Sequence, residues 1–547
     1  MSSRKATLSL GLDSSTQSLT AVLVDFERGE VVHEHSLDYA SDERLNGWGI
    51  DRRQYLVTPR VPGEADQPVL MYLASLDAML DDLRKAGAPL DRVAVINVSG
   101  QQHGHLYLSR EAEAAFASLR SPTTTEAGLP ELLEHCFSYG TSPIWRTSNT
   151  AAQAEAIRQG VGGKAKMIEL SGSDSPLRFT GAIVRRVAEQ FPDAFAKTSV
   201  IQLISSFLPA VLTGNARAPI DFGNASGTSL LDYRGRVWSN ELIGAAAQGL
   251  SGGAQALRSK LPALVAPNTI VGTIADYFVR KYGLPSACKV AAGSGDNPQT
   301  KVLVTGDLLS LGTSFVFMVS TDGNVVDTEG YANAMYDGVD RPFMFGCRTN
   351  GAMVWDRVRG LHGLPKKEYA RAERALESVA PGSSILLWQP ENESFPVSPA
   401  FDLRRVEYEK ADLAKDYSGI IDSTLAAVYW YSRHFSSASG AGGETAPLYV
   451  TGGATGSAQI MRRVAAIWRR PVVAIGKIGA ALGTAVAGVS ALRGDSGSAA
   501  SVEELSSSLL PPGDPIPPVA GDAEAYHGEH GYLSRFVDAY DRYRHEP

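Results

Sequence analysis

Asp296 ends the run Ala291-Ala292-Gly293-Ser294-Gly295, whose small side chains leave room for another molecule to approach the backbone. In that loop, leading toward a helix, a carboxylate could accept a proton from a substrate hydroxyl. The plainer use of Gly295-Asp296-Asn297-Pro298 is a turn with an Asx cap. Asp13 opens the polar loop Asp13-Ser14-Ser15-Thr16-Gln17-Ser18 at the end of an apolar run, and taken alone it reads as a turn residue. A second hydroxyl-bearing loop, Gly312-Thr313-Ser314, follows another apolar run. Two such loops facing each other across a cleft would offer backbone N–H groups and hydroxyls to a polyphosphate. Thr451-Gly452-Gly453-Ala454-Thr455-Gly456-Ser457 lies between a strand and a helix, the arrangement of many nucleotide seats. Gly163-Lys164 has Arg158 where a P-loop needs glycine and Ala165 where it needs Ser or Thr, so that motif fails. His33 and His35 have no matching carboxylate cluster and read as an exposed pair.

The elements that must carry these loops alternate between strand and helix. Thr7–Leu12, Leu19–Val24 and a third strand opening at Val31-Val32 are predicted, with a turn at residues 27–30. Residues 69–84 place Val69, Leu73, Leu76, Leu80 and Leu83 at helical spacing, with Asp77, Asp81 and Asp82 toward water. Arg92–Val98 is a buried-type strand running into Ser99-Gly100-Gln101-Gln102-His103-Gly104. From residue 307 the strand, hydroxyl loop, strand, turn, strand order returns, with the third strand expected at Val325-Val326, which suggests duplication. Gly479–Ala485 reads as a small-residue helix packed closely on a neighbour, 498–521 as a Ser/Pro-rich loop, and Tyr532, Phe536, Tyr540 and Tyr543 as one face of a closing helix.

The chain has 547 residues, 44% of them hydrophobic and 20% charged, enough apolar material for large cores. With 51 basic and 59 acidic side chains the net charge is −8, and no basic stripe stands out. Nucleic acid and anionic membrane are therefore not expected partners. Cys136, Cys288 and Cys347 are far apart and read as reduced thiols, not as a disulfide framework or zinc site. The first residues carry no secretory pattern and no 18-residue apolar run occurs, so a cytoplasmic location is expected.

In this order and spacing the segments resemble the FGGY family of carbohydrate kinases, within the actin-like ATPase superfamily. The resemblance runs over residues 7–490. Residues 10–18, Pro68-Val69-Leu70-Met71, residues 99–104, residues 218–227 and Gly295-Asp296-Asn297-Pro298 carry it, with Ser310–Ser314 and Thr451–Ala454 as nucleotide motifs. It implies an α/β fold of two ribonuclease-H-like domains with a deep interdomain cleft. The boundaries it suggests are 1–292, 293–497 and a C-terminal segment 498–547. It further implies ATP-dependent phosphorylation of a ketopentose, taken as D-xylulose at O5, with Asp296 as general base and Asp13 holding Mg²⁺. Ser15, Thr16 and Gln17 would form one phosphate loop and Gly312 with Thr313 the other, while Gly453 and Ser457 would hold the adenosine. Gln102, His103, Arg178, Asn297 and Trp145 fall where the family binds sugar. Thr147 stands where the family has Asp, which leaves the epimer preference open. Kinases of ribulose or an alditol, and an ATP-dependent switch without a sugar, are the alternatives. The partners expected are a small sugar and ATP, and a homodimer is left open.

Overall fold

The computed structural model describes residues 6–121, 126–366, 368–438, 446–476, 478–496 and 502–545. The chain divides into two units. The first is Met1–Leu303 with Ala334–Pro342 and Ile478–Leu509; the second is Val304–Asn333, Phe343–Lys477 and Leu510–Pro547. The first unit thus runs to Leu303, and residues 478–509 lie in it.

In the first unit, strand Leu8–Ser14 pairs antiparallel with Ser18–Asp25, which pairs antiparallel with Glu30–Asp38. On its other side Leu8–Ser14 lies parallel to Val93–Gly100, and Lys289–Ala291 lies parallel to that strand. The two central strands are buried along almost their whole length, the polar Ser9 and Asn97 included. Among the described residues Glu30–Asp38 has no partner strand beyond it, and its exposed Glu30 and Glu34 discourage further pairing. Helix Val69–Lys85 buries the five predicted positions. Asp77 departs from its expected place in water. Its carboxylate accepts from the Tyr277 and Tyr282 hydroxyls at 3.0 and 2.6 Å and from the Leu129 N–H at 2.7 Å.

Helix Ala480–Ser496 explains why residues 478–509 join the first unit. Its small residues let it lie directly on strand Leu8–Ser14. The Ser9 hydroxyl donates to the Ala485 carbonyl at 2.7 Å, and the Asn97 amide donates to the Thr484 carbonyl at 3.0 Å. A Cβ on Gly11 would sit 2.1 Å from the Ala481 carbonyl oxygen and 2.6 Å from the Ala485 nitrogen. Both are backbone atoms that cannot swing aside. Gly11→Ala is expected to cost about 1–3 kcal/mol, as overpacking does. A fall in the denaturant midpoint checks this; an unchanged midpoint would mean that the helix is free to shift.

The second unit repeats the strand order. Leu308–Leu311, Phe315–Ser320 and Pro342–Arg348 pair antiparallel in succession, and Leu448–Thr451 and Val472–Ala474 extend the first of them in parallel. The third strand is not at Val325-Val326. There the buried Asp327 carboxylate accepts backbone N–H groups of Glu329, Tyr331 and Ala332, which bends the chain into a loop. Helix Tyr532–His545 forms as predicted, with Tyr532, Phe536 and Tyr540 stacked at 6.0 and 5.3 Å between successive rings. Within 498–521, residues Val502–Leu509 are helical, not looped, and 498–501 lie outside the described residues. None of the three cysteines is in a disulfide, and burial pushes the Cys136 thiol up to about 12. No helix among the described residues is long and apolar enough to cross a membrane.

Candidate active site

Asp13 lies one residue from the end of its strand, between Thr20 on one neighbour and Ser99 on the other. Its Oδ1 is buried without a hydrogen-bond partner. Burial pushes this carboxyl up to about 6, weakly opposed by the nearby Ser99 hydroxyl. An orphaned carboxylate oxygen suits a hard cation, and Mg²⁺ commonly takes one or two carboxylates with water and substrate phosphates completing its shell. The residue thus fits the ion. No group of three His, Cys, Asp or Glu side chains forms a metal cluster among the described residues.

The loop after Asp13 is held from behind. Ser15 N–H and Oγ both reach the Ser18 carbonyl, at 3.0 and 3.1 Å. The Thr16 hydroxyl donates to Gln101 Oε1 at 3.1 Å and accepts from the Trp145 indole N–H at 2.8 Å. Gln67 Nε2 donates to the Thr16 carbonyl at 2.8 Å, and its Oε1 accepts from Gln101 at 2.7 Å. Thr16 can therefore meet an anion through its backbone N–H, while its hydroxyl is engaged. Gln17 is exposed. Gln67 and Gln101, which sequence reasoning passed over, build this support.

Asp296 is the first residue of helix Asp296–Lys301, directly after the short strand Ser294–Gly295 that pairs with Ser99 and Gly100. Two glycines make the approach possible. Gly293 has φ 78°, and a Cβ there would sit 2.2 Å from the Ser205 carbonyl oxygen; on Gly295 it would sit 2.6 Å from Gln102 Cγ. Asp296 Oδ1 accepts the Asn297 N–H at 2.8 Å, and Asn297 Nδ2 donates to Gln102 Oε1 at 2.8 Å. Burial, then the charge of Asp13, pushes the Asp296 carboxyl up to about 7. Asp13, Asp296, Asn297 and Gln102 thus meet at the carboxyl ends of adjacent strands, where α/β sheets bind ligands.

His103 adopts φ 67°. Its Nδ1 lies 2.8 Å from the Gly227 carbonyl, and its ring stacks on Phe179 with centroids 4.5 Å apart. Burial and the charge of Arg178 push it down to about 3, so the ring is neutral. The Nδ1–H then donates to Gly227, which makes Nε2 an acceptor. Arg178, beside Phe179, is half-buried. Trp145 is 44% exposed and sits at the loop that follows Asp13. Thr147 is buried, and its hydroxyl donates to the Ala65 carbonyl at 3.2 Å. Its single hydroxyl oxygen, with the proton spent on that carbonyl, supplies neither the charge nor the second oxygen of the family carboxylate.

In the second unit, Gly312 and Thr313 follow strand Leu308–Leu311. Their carbonyls accept from the N–H groups of Ala352 and Met353 at 3.0 and 3.2 Å, and Thr313 is exposed. The turn Gly453–Gly456 leaves the neighbouring parallel strand, and a Cβ on Gly452 would sit 2.5 Å from the Leu311 carbonyl oxygen. The two loops are therefore side by side. Ser457 caps helix Ala458–Trp468, accepting the Ile460 N–H at 3.1 Å. Its hydroxyl donates to Glu373 at 2.5 Å, and the same carboxylate takes the Gln459 N–H at 2.9 Å. Glu373 is a further residue that the local sequence did not reveal.

Residues 141–302 match the FGGY family of carbohydrate kinases, N-terminal domain. The chain is 32% identical over 379 residues to the probable D-xylulose kinase A of Neosartorya fischeri, covering 68% of this chain and 63% of that protein. It is also 32% identical over 379 residues to the xylulose kinase of Mus musculus, covering 69% and 65%. These alignments span less than two thirds of the relatives' own length. Solved structures share the fold. The xylulose kinase from Rhodospirillum rubrum has a TM-score of 0.78 at 17% identity over 98% of both chains. Plasmodium falciparum glycerol kinase with ADP has a TM-score of 0.75 at 13% identity, covering 99% of this chain and 98% of that one. The fold is thus that of two ribonuclease-H-like domains, and residues 141–302 belong to the N-terminal domain of the FGGY family of carbohydrate kinases.

Proposed function

We propose that the chain phosphorylates a ketopentose with ATP, most directly D-xylulose at O5. The observation that carries this reading is Asp296, poised near neutrality and joined to Asn297 and Gln102 beside Asp13. Asp296 takes the proton of the attacking hydroxyl, whose oxygen bonds to the γ-phosphorus. The bond to the β–γ bridging oxygen breaks, and ADP leaves with that electron pair. Gln102, the neutral His103, Arg178, Asn297 and Trp145 bind the sugar, and polar groups so placed penalise sugars that leave them unpaired. Ser15, Thr16, Gln17, Gly312 and Thr313 bind phosphate, and Gly453 and Ser457 the adenosine. Mg²⁺ bound at Asp13 would supply neutralisation of the phosphate charge. The relatives' names support xylulose, and a cytoplasmic enzyme is the corresponding location.

Coupled ADP release across D-xylulose, D-ribulose, L-xylulose and pentitols tests the substrate. D-xylulose should give the highest kcat/KM; a pentitol in first place would reassign the sugar site. The pH dependence has a defined sign. Asp296 must be ionised to accept a proton, so kcat/KM for the sugar is lost as pH falls below about 7, about tenfold per unit. A profile flat from pH 8 to 5 would remove Asp296 as the base.

A further inference from the structure

The segment 218–227 carries part of the family resemblance, yet none of its side chains takes part in the chemistry above. Asp221 is wholly buried. It caps the short helix Phe222–Ala225, and its Oδ2 accepts the Asn224 N–H at 3.0 Å. The same oxygen accepts the Ser294 hydroxyl at 2.6 Å, two residues before Asp296. Gly223 allows this meeting, since a Cβ there would stand 2.7 Å from Asp221 Oδ2 and 2.8 Å from Ser294 Oγ. Asn224 extends the clamp through its amide, which donates to Ser205 Oγ at 2.6 Å; Gly293 lies against the carbonyl of that serine. The turn then continues through Ser226–Thr228, and its Gly227 carbonyl receives His103 Nδ1.

We propose that Asp221 is a positioning residue for phosphoryl transfer. Through Ser294 it fixes the backbone that presents Asp296, and through the turn it caps it fixes the carbonyl that orients His103. This rests on the reading of Asp296 as base and His103 as sugar ligand. Geometry of this kind matters because a misplacement of about 1 Å at a reacting group can cost on the order of 10²-fold in rate. Burial also pushes the Asp221 carboxyl up to about 7, so its part is that of an acceptor of fixed shape, which an amide oxygen can reproduce.

Steady-state kinetics on the full chain test it with three variants. Ser294→Ala, which removes one buried hydroxyl, is expected to lower kcat about tenfold or more while sugar KM moves less than about threefold. Asp221→Ala should lower kcat further and also raise sugar KM, because His103 loosens as well. Asp221→Asn should stay within about threefold of wild type. Combining Ser294→Ala with Asp221→Ala should add no further loss, since both cut the same tie. Wild-type kcat in Ser294→Ala, or Asp221→Asn as damaged as Asp221→Ala, would overturn the proposal. Hydrogen exchange of the Gly295–Asn297 amides in the ligand-free chain reads the tie without any substrate. It should quicken in Ser294→Ala, and unchanged exchange would overturn the tie even if kcat fell. A wild-type chain that phosphorylates no sugar would sink the functional reading alone, with the exchange result still deciding the tie.

Discussion

Asp296→Asn is expected to lower kcat by about 10²–10⁴-fold, the usual contribution of a placed general base. The amide keeps the size of the carboxyl and its oxygen can still take the Asn297 N–H, so the loop should hold its shape. Gln102 and Asn297 remain paired, and sugar affinity by calorimetry should change less than about threefold. The loss belongs in kcat because a proton acceptor acts only as the hydroxyl attacks. Turnover near wild type in a folded Asp296→Asn chain would move the base elsewhere.

Asp13→Ala should cost on the order of 10²–10³-fold in kcat, the scale of losing one preorganised electrostatic contact at developing charge. The deletion removes the orphaned Oδ1 and so should raise the Mg²⁺ concentration needed for half-maximal rate. It has a second signature. The charge of Asp13 helps hold the Asp296 carboxyl near 7, so without it the acid limb of the residual activity should move to lower pH. An unchanged Mg²⁺ titration with an unchanged acid limb would return Asp13 to the role of a turn residue.

The parts of this site that were legible in the sequence are local. Strand, polar loop and strand around Asp13 could be read because each depends on neighbours in the chain. The Gly293–Asn297 loop was readable for the same reason, since its glycines answer to close backbone approach. What stayed hidden joins distant segments. Glu373 reaches Ser457 across 84 positions, and Asp221 reaches Ser294 across 73. No periodicity encodes such pairs. Thr147 stands in the place of a carboxylate, and only the fold shows that its hydroxyl proton goes to a backbone carbonyl. The small residues of 479–485 announced close packing without saying against what. The strand they meet, Leu8–Ser14, assigns that helix to the first unit. Val325-Val326 failed as a strand because one buried carboxylate, Asp327, takes up the backbone donors that follow it.

In a sugar kinase, ATP turnover depends on a sugar hydroxyl. Phosphorus NMR of a reaction with ATP, Mg²⁺ and D-xylulose reads this directly, because it follows ADP, inorganic phosphate and sugar phosphate together. One sugar phosphate per ADP is expected, coupled to the C5 protons, with little inorganic phosphate and slow ADP formation when sugar is left out. Rapid ADP and inorganic phosphate formation that is indifferent to sugar would contradict it and leave an ATP-driven switch.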